Sequence, residues 1–295
     1  MVSQRPGGAG RSVVSSLCGV LAVVLLPVAL VAFWASVLLT RTDVFVDELE
    51  PVVSTPQVQE ALTDGIVDGV LGVVQLRPVV EQALEGPLRT QAATVVASPQ
   101  VAAAWTSAIR AVHTQLLAVM EGRADTQLDA DGRVAVRVTI PVPALTSTLE
   151  RFGVPDAASI APVVTIPLVK ADDLRTVRQV YRVADVVGPW APAAVAVLAL
   201  LAVALARRRR AVAAAVGAGW IVLALGLALV VMVAREPLMR RVTPPVARTI
   251  ADTAYGLAAR NLDAEIGVAV GAGLVLLLLA GVSGVVGRRR AGRPA

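Results

Sequence analysis

Few residues of this chain have the type and spacing to do chemistry. His113 is the only histidine and Cys18 the only cysteine among 295 residues. A Ser-His-Asp or Cys-His mechanism would have to run through His113, and no supporting motif surrounds it. One histidine and one cysteine, the latter inside an apolar run, cannot supply the usual zinc ligands. A lone imidazole suits a pH sensor, but at the border of an apolar helical stripe His113 reads more simply as a boundary residue. Asp129-Ala130-Asp131-Gly132 resembles a fragment of a calcium loop. In that register the twelfth position, where a glutamate is needed, is Val138, and a tight turn explains the segment. Asp172-Asp173 form an acidic pair of the kind a helix start favours. No glycine loop has the Walker or Rossmann spacing. The expectation is a protein with no cofactor, no metal site and no catalytic residue, hence not an enzyme.

The sorting of charge is far more informative. All 22 carboxylates lie in Asp43–Asp185 and Glu236–Glu265. The two ends and the run Arg207–Arg210 hold ten arginines and no acid. Mean hydropathy is +0.72 and only 17% of residues are charged, too few for an ordinary soluble chain of this length. The net charge of +5 sits beside apolar stretches, which argues against nucleic acid and for anionic lipid head groups as its counterpart.

Four uncharged stretches of 29, 21, 24 and 22 residues separate the charged zones. Each can cross a bilayer core of about 30 Å, which takes about 20 apolar residues. The expected spans are 17–39, 188–206, 211–234 and 266–287. Arginines precede the first span, join the second to the third as Arg207, Arg208, Arg209 and Arg210, and follow the fourth as Arg288, Arg289 and Arg290. With four spans all three clusters fall on one side, and the positive-inside rule makes that side cytoplasmic. The tails 1–16 and 288–295 and the loop 207–210 are then cytoplasmic, while 40–187 and 235–265 face outward. The first apolar run exceeds a signal-peptide core and lacks a small-x-small cleavage site, so it reads as an uncleaved anchor. In the fourth span Gly267-x-x-x-Gly271 and Ala280-x-x-x-Gly284 are spaced for close helix approach. Packing among the four helices is the first reading of those glycines, and self-association into a homo-oligomer the second.

The outer region 40–187 is long enough for its own core and carries 12 basic and 18 acidic residues. Thr55-Pro56-Gln57-Val58 opens a helix with Thr55 as cap and Pro56 at the first position, and Val58, Leu62, Ile66 and Val70 recur on one face. Pro78 opens a second helix, interrupted at Gly86-Pro87. Ser98-Pro99-Gln100-Val101 opens a third, with a stripe from Val101 and Trp105 to Val119. Val134, Val136 and Val138 then alternate with Arg133, Ala135 and Arg137 as a strand does. Asp131-Gly132 predicts a hairpin to Thr126–Asp129, and Val163–Leu168 an edge strand. Asp172–Val187 reads as a helix leading into the second span. The expected architecture is a four-helix transmembrane bundle with an α+β extracytoplasmic domain of three helices, a small antiparallel sheet and that last helix. In the second outer loop Val246, Ile250, Thr253 and Leu257 predict a short amphipathic helix, lying on the membrane or capping the outer domain.

Thr42-x-x-Phe45-Val46, the start Thr55-Pro-Gln-Val-Gln-Glu-Ala-Leu62, Leu174-x-x-Val-Arg-x-x-Tyr181 and the arginine run after the second span together resemble a group of uncharacterised actinobacterial four-span integral membrane proteins. That resemblance covers most of the chain, brings no activity with it, and implies a bacterial plasma membrane location with an envelope-facing domain. The functional expectation is a non-enzymatic binding, scaffold or sensing protein acting through its outer domain on an envelope protein or lipid ligand. The alternative is an accessory or oligomeric subunit of a transport system.

Overall fold

The computed structural model describes residues 7–73, 78–123, 133–139, 163–170 and 174–291. In chain order its helices are α1 (Gly7–Thr40), α2 (Thr42–Leu49), α3 (Pro56–Val73), α4 (Pro78–Val96), α5 (Pro99–Met120), α6 (Leu174–Val187), α7 (Ala191–Leu205), α8 (Arg209–Met239) and α9 (Pro245–Ala291). Short 3-10 turns cover Glu50–Ser54 and Gly188–Trp190, and two strands, β1 (Arg133–Thr139) and β2 (Val163–Lys170), fall between α5 and α6. The chain divides into two units. Unit 1 is Met1–Val37, Val183–Ala234 and Ala259–Ala295; unit 2 is Leu38–Arg182 and Arg235–Ala258.

Unit 1 is the apolar one. The segments Gly10–Thr40, Tyr181–Leu205, Arg209–Met239 and Pro245–Val282 are long and apolar enough to cross a membrane, which supports a multi-pass membrane protein. Their packing is inverted relative to a water-soluble bundle. The buried cluster draws on α1, α7, α8 and α9 and is rich in alanine: Ala22, Ala29, Ala199, Ala224 and Ala269 stand among its members beside Leu26, Val216 and Ile266. The large side chains point outward, with Leu200 68%, Val222 66%, Val268 74% and Leu278 66% exposed. Lipid is as apolar as leucine, so there is no hydrophobic gain in turning leucines inward. Close backbone approach and hydrogen bonds hold such helices together instead.

Those contacts are specific. A Cβ built on Gly217 of α8 would lie 2.6 Å from the Gly273 carbonyl oxygen, and one on Gly273 of α9 would lie 2.7 Å from that of Gly217. At this crossing each helix needs the other to lack a side chain. Gly219 faces α1 in the same way, its Cβ position 2.7 Å from Val23. Gly188 admits no side chain either, because Ala32 O and Ser36 Cβ would both stand 2.6 Å away. Two polar side chains add interhelical bonds. The Ser15 hydroxyl donates to Ala202 O at 2.7 Å, and the Trp220 indole N–H donates to Ala22 O at 2.9 Å.

Unit 2 is a helical assembly, and this corrects the expected fold class. Among the described residues no α+β domain built on a small sheet is present. Helices account for nearly all of the described chain, and the described extended residues form one two-stranded ribbon, in contact with α5 through β1, rather than a layer. The pairing also differs from the expected hairpin. β1 pairs antiparallel with β2, not with 126–129; residues 124–132, which include that segment and the Asp131-Gly132 turn, lie outside the described residues. The register shifts between Val134 and Ala135, whose partners are Val169 and Pro167. The skipped residue adjoins the proline, which has no N–H to offer a ladder. Alternating valines encode the local extended conformation, but two strands alone do not make a stable sheet.

The helices of unit 2 follow their signals with four differences. Thr55 does not cap α3: its hydroxyl turns back to donate to Val52 O at 2.8 Å, closing the preceding 3-10 turn. Ser98 does cap α5, accepting from Val101 N at 3.4 Å. Helix α4 passes uninterrupted through Pro87, where hydrogen bonding on both sides outweighs the one lost amide. Along α3, Val58 and Val67 are buried while Ile66 is 42% exposed, because residues four apart drift around a helix of 3.6 per turn. Val52, Val58 and Leu257 form a buried cluster with Leu62, Trp105, Ile250 and Ala254 around it, so the start of α9 covers this core. Gly65 makes room there, its Cβ position 2.9 Å from Val246. The expected short amphipathic helix is thus the first part of the 47-residue α9.

The glycine crossing yields a test. Gly217→Val or Gly273→Val should destabilise the protein by about 1–3 kcal/mol, the usual range for overpacking, whereas Gly267→Val should be nearly neutral. Unfolding in mild detergent, followed by tryptophan fluorescence, measures this; equal effects at all three positions would contradict the crossing.

Candidate functional site

Two places on the chain gather groups that can do more than fill space. The first surrounds His113 in unit 2. Its position on the rim of the α5 stripe is corrected by the structure: His113 is 0% exposed and sits at the centre of the buried face, with Ile109, Val119 and Met120. Helix α2 places it there. The ring stacks on Phe45 with centroids 4.2 Å apart, and Nδ1 lies 3.1 Å from the Thr42 hydroxyl oxygen. Nε2 is buried with no hydrogen-bond partner among the described residues. The pair Arg110–Asp43, at 2.7 Å, bridges the same two helices at the surface. Trp105 Nε1 donates to Leu49 O at 2.9 Å, and Arg178 Nε of α6 donates to Val119 O at 2.9 Å, joining the Gly122 N–H at a carbonyl in the last turn of α5.

Burial pushes the His113 imidazole below its ordinary value of 6.5, with the Leu38 carbonyl opposing that shift. The fold therefore accepts the neutral ring and disfavours the charged one.

The second place lies in unit 1. Helices α7, α8 and α9 leave a cleft of about 590 Å³ between them. Ala196 and Leu200 of α7, Ala213 of α8, and Ala272 and Leu279 of α9 line it, together with Arg209 and Arg210. Its volume falls in the range of about 300–1,000 Å³ usual for small-molecule sites. A smaller cleft of about 340 Å³ lies between α1 and α8, beside Ser15, Ser16 and Gly19.

The other residues singled out from sequence are placed as follows. Arg207 and Arg208 form the turn before α8, and Arg209 and Arg210 begin it. Arg288, Arg289 and Arg290 lie in the last turns of α9. A Cβ on Gly267 or Gly271 would meet nothing within 4 Å, so neither is a close-approach position within this chain. Gly284 lies in α9, and its surroundings are outside the described residues. The working glycines, Gly217 and Gly273, belong to two Gly-Ala-Gly tripeptides, 217–219 and 271–273, and that repetition in consecutive spans was the available signal. Asp129, Asp131, Asp172 and Asp173 fall outside the described residues. Cys18 is a free, half-buried thiol in α1.

No family model matches this chain, and no curated protein or solved structure matches it either.

The His113 site predicts a pH dependence whose sign follows from its lowered value. The unfolded chain takes up a proton near 6.5 while the folded chain still refuses it. The site's contribution to stability is whole above that value and is lost as pH falls through the lower folded value. The unfolding temperature should therefore drop on acidification below about 6.5, and His113→Phe, which keeps a ring against Phe45, should flatten the drop. An equal drop in the variant would assign the effect to other groups.

Proposed function

We propose that this protein is a non-enzymatic component of a bacterial envelope, anchored by four membrane helices and acting through unit 2 on the outer side of the plasma membrane. The observation that carries this reading is the division of charge between the two units. Unit 1 holds 3 of the 22 carboxylates and 11 of the 27 basic residues; unit 2 holds 19 and 16. An apolar unit with a net charge of +8 has the composition of an anchor whose basic ends stay in the cytoplasm. A helical unit with a net charge of −3 and its own core has the composition of a water-facing module. Binding or scaffolding suits that module, with an envelope protein, a lipid or a wall component as its partner.

Orientation and role are tested separately. A reporter enzyme active only outside the membrane should be silent when fused after Arg210 and active when fused after Thr243. Activity after Arg210 would reverse the topology. Co-purification in mild detergent addresses the role. The expected companion is an envelope component retained through unit 2, whereas a stable complex with a transport ATPase would replace this reading with that of a transport subunit.

A further inference from the structure

We propose that the cleft between α7, α8 and α9 is a site for one anionic phospholipid, its acyl chain along the apolar walls and its phosphate on Arg209 and Arg210. Three observations point the same way. The walls are apolar along their length: the stretch of α9 from Ala272 to Ala280 that lines the cleft measures about 12 Å at 1.5 Å per residue. This suits a hydrocarbon chain and gives a water-soluble ligand nothing to bond. Ala196, Ala213 and Ala272 leave room between the bulkier wall residues Leu200, Leu276 and Leu279.

The arginines decide the occupant. Of the four in the run, only Arg209 and Arg210 line the cleft. Both also open α8, so the positive end of that helix dipole adds to their charge. A guanidinium pair beside a helix start matches a phosphate in charge and in fork geometry. A second copy of this chain would bring its own arginines against them, and an uncharged lipid would leave them unanswered. Topology alone needs arginines after the second span, but it does not need two of them to line a cleft.

The experiment uses the full chain in a neutral detergent and native mass spectrometry, with phosphatidylglycerol and phosphatidylcholine of equal chain length as probes. The wild type should retain one phosphatidylglycerol with a preference of about tenfold or more, given about 1 kcal/mol per arginine at a lipid surface. Arg209→Ala with Arg210→Ala should abolish the preference, and Arg207→Ala with Arg208→Ala should leave it. Ala196→Phe or Ala272→Phe, two independent fillings of the cleft, should release the lipid with all four arginines present. Equal loss in both arginine pairs would overturn the site in favour of diffuse attraction. Retention of bound lipid in either filled variant would overturn it as well, as would displacement of the lipid by millimolar inorganic phosphate. None of these readouts depends on the topology or role of unit 2.

Discussion

The packing of this protein turns on one contact, the meeting of two helix backbones at Gly217 and Gly273. In water a helix pair is driven together by burying leucines. Within a bilayer that drive vanishes, and what remains is van der Waals contact, hydrogen bonding and the small residues that permit both. The interior of unit 1 follows from that constraint. Alanines share the centre with a few larger residues such as Leu26 and Ile266, many leucines and valines face out, and the polar bonds from Ser15 and Trp220 end on backbone carbonyls of neighbouring helices. The Ala22 carbonyl stands inside α1 and keeps a second lone pair for the indole N–H, while the Ala202 carbonyl stands in the last turn of α7, where the Ser15 hydroxyl reaches it.

Much of unit 1 was legible because its signals are one-dimensional. Uncharged length and the position of arginines are properties of the string, and four apolar segments follow from counting. Which face of a helix meets which partner is not a property of the string. Gly267 and Gly271 have the spacing that favours close approach, yet they meet nothing within 4 Å, while Gly217 and Gly273 touch across a crossing. A four-residue spacing identifies one face of one helix. A crossing requires two faces to coincide in depth and angle, and only the matched Gly-Ala-Gly tripeptides in consecutive spans hinted at it.

Unit 2 shows the complementary limit. Helix starts such as Ser98-Pro99 are local chemistry and were readable. The stripe of α5 was read without His113 because a histidine is ordinarily placed at a boundary, yet Phe45 and Thr42 of α2 supply both a ring to stack on and a hydroxyl to bond. Those two residues had stood out only as part of the Thr42-x-x-Phe45-Val46 resemblance. The expected sheet failed for a different reason. Alternating valines specify an extended backbone, but a layer also requires strands on either side. Among the described residues β1 finds a single partner, and Pro167 and the skipped residue beside it interrupt that ladder. Likewise nothing in residues 258–266 breaks helical conformation, so α9 continues where a loop followed by a span was expected.

The small residues have a consequence beyond packing. Alanine and glycine let helices approach, but a surface made of them cannot also fill the hollows between three helices at once. Between α7, α8 and α9 a cleft of about 590 Å³ remains, walled by alanines and by leucines and valines alike. The bilayer fills such a hollow with hydrocarbon at no cost. What distinguishes this one is the charge at Arg209 and Arg210. Basic residues held beside an apolar cleft can choose among the lipids that enter it, so the arginine run can serve two purposes divided within itself. In the proposed orientation all four residues oppose translocation of the loop, and in the proposed lipid site the last two bear on the contents of the cleft.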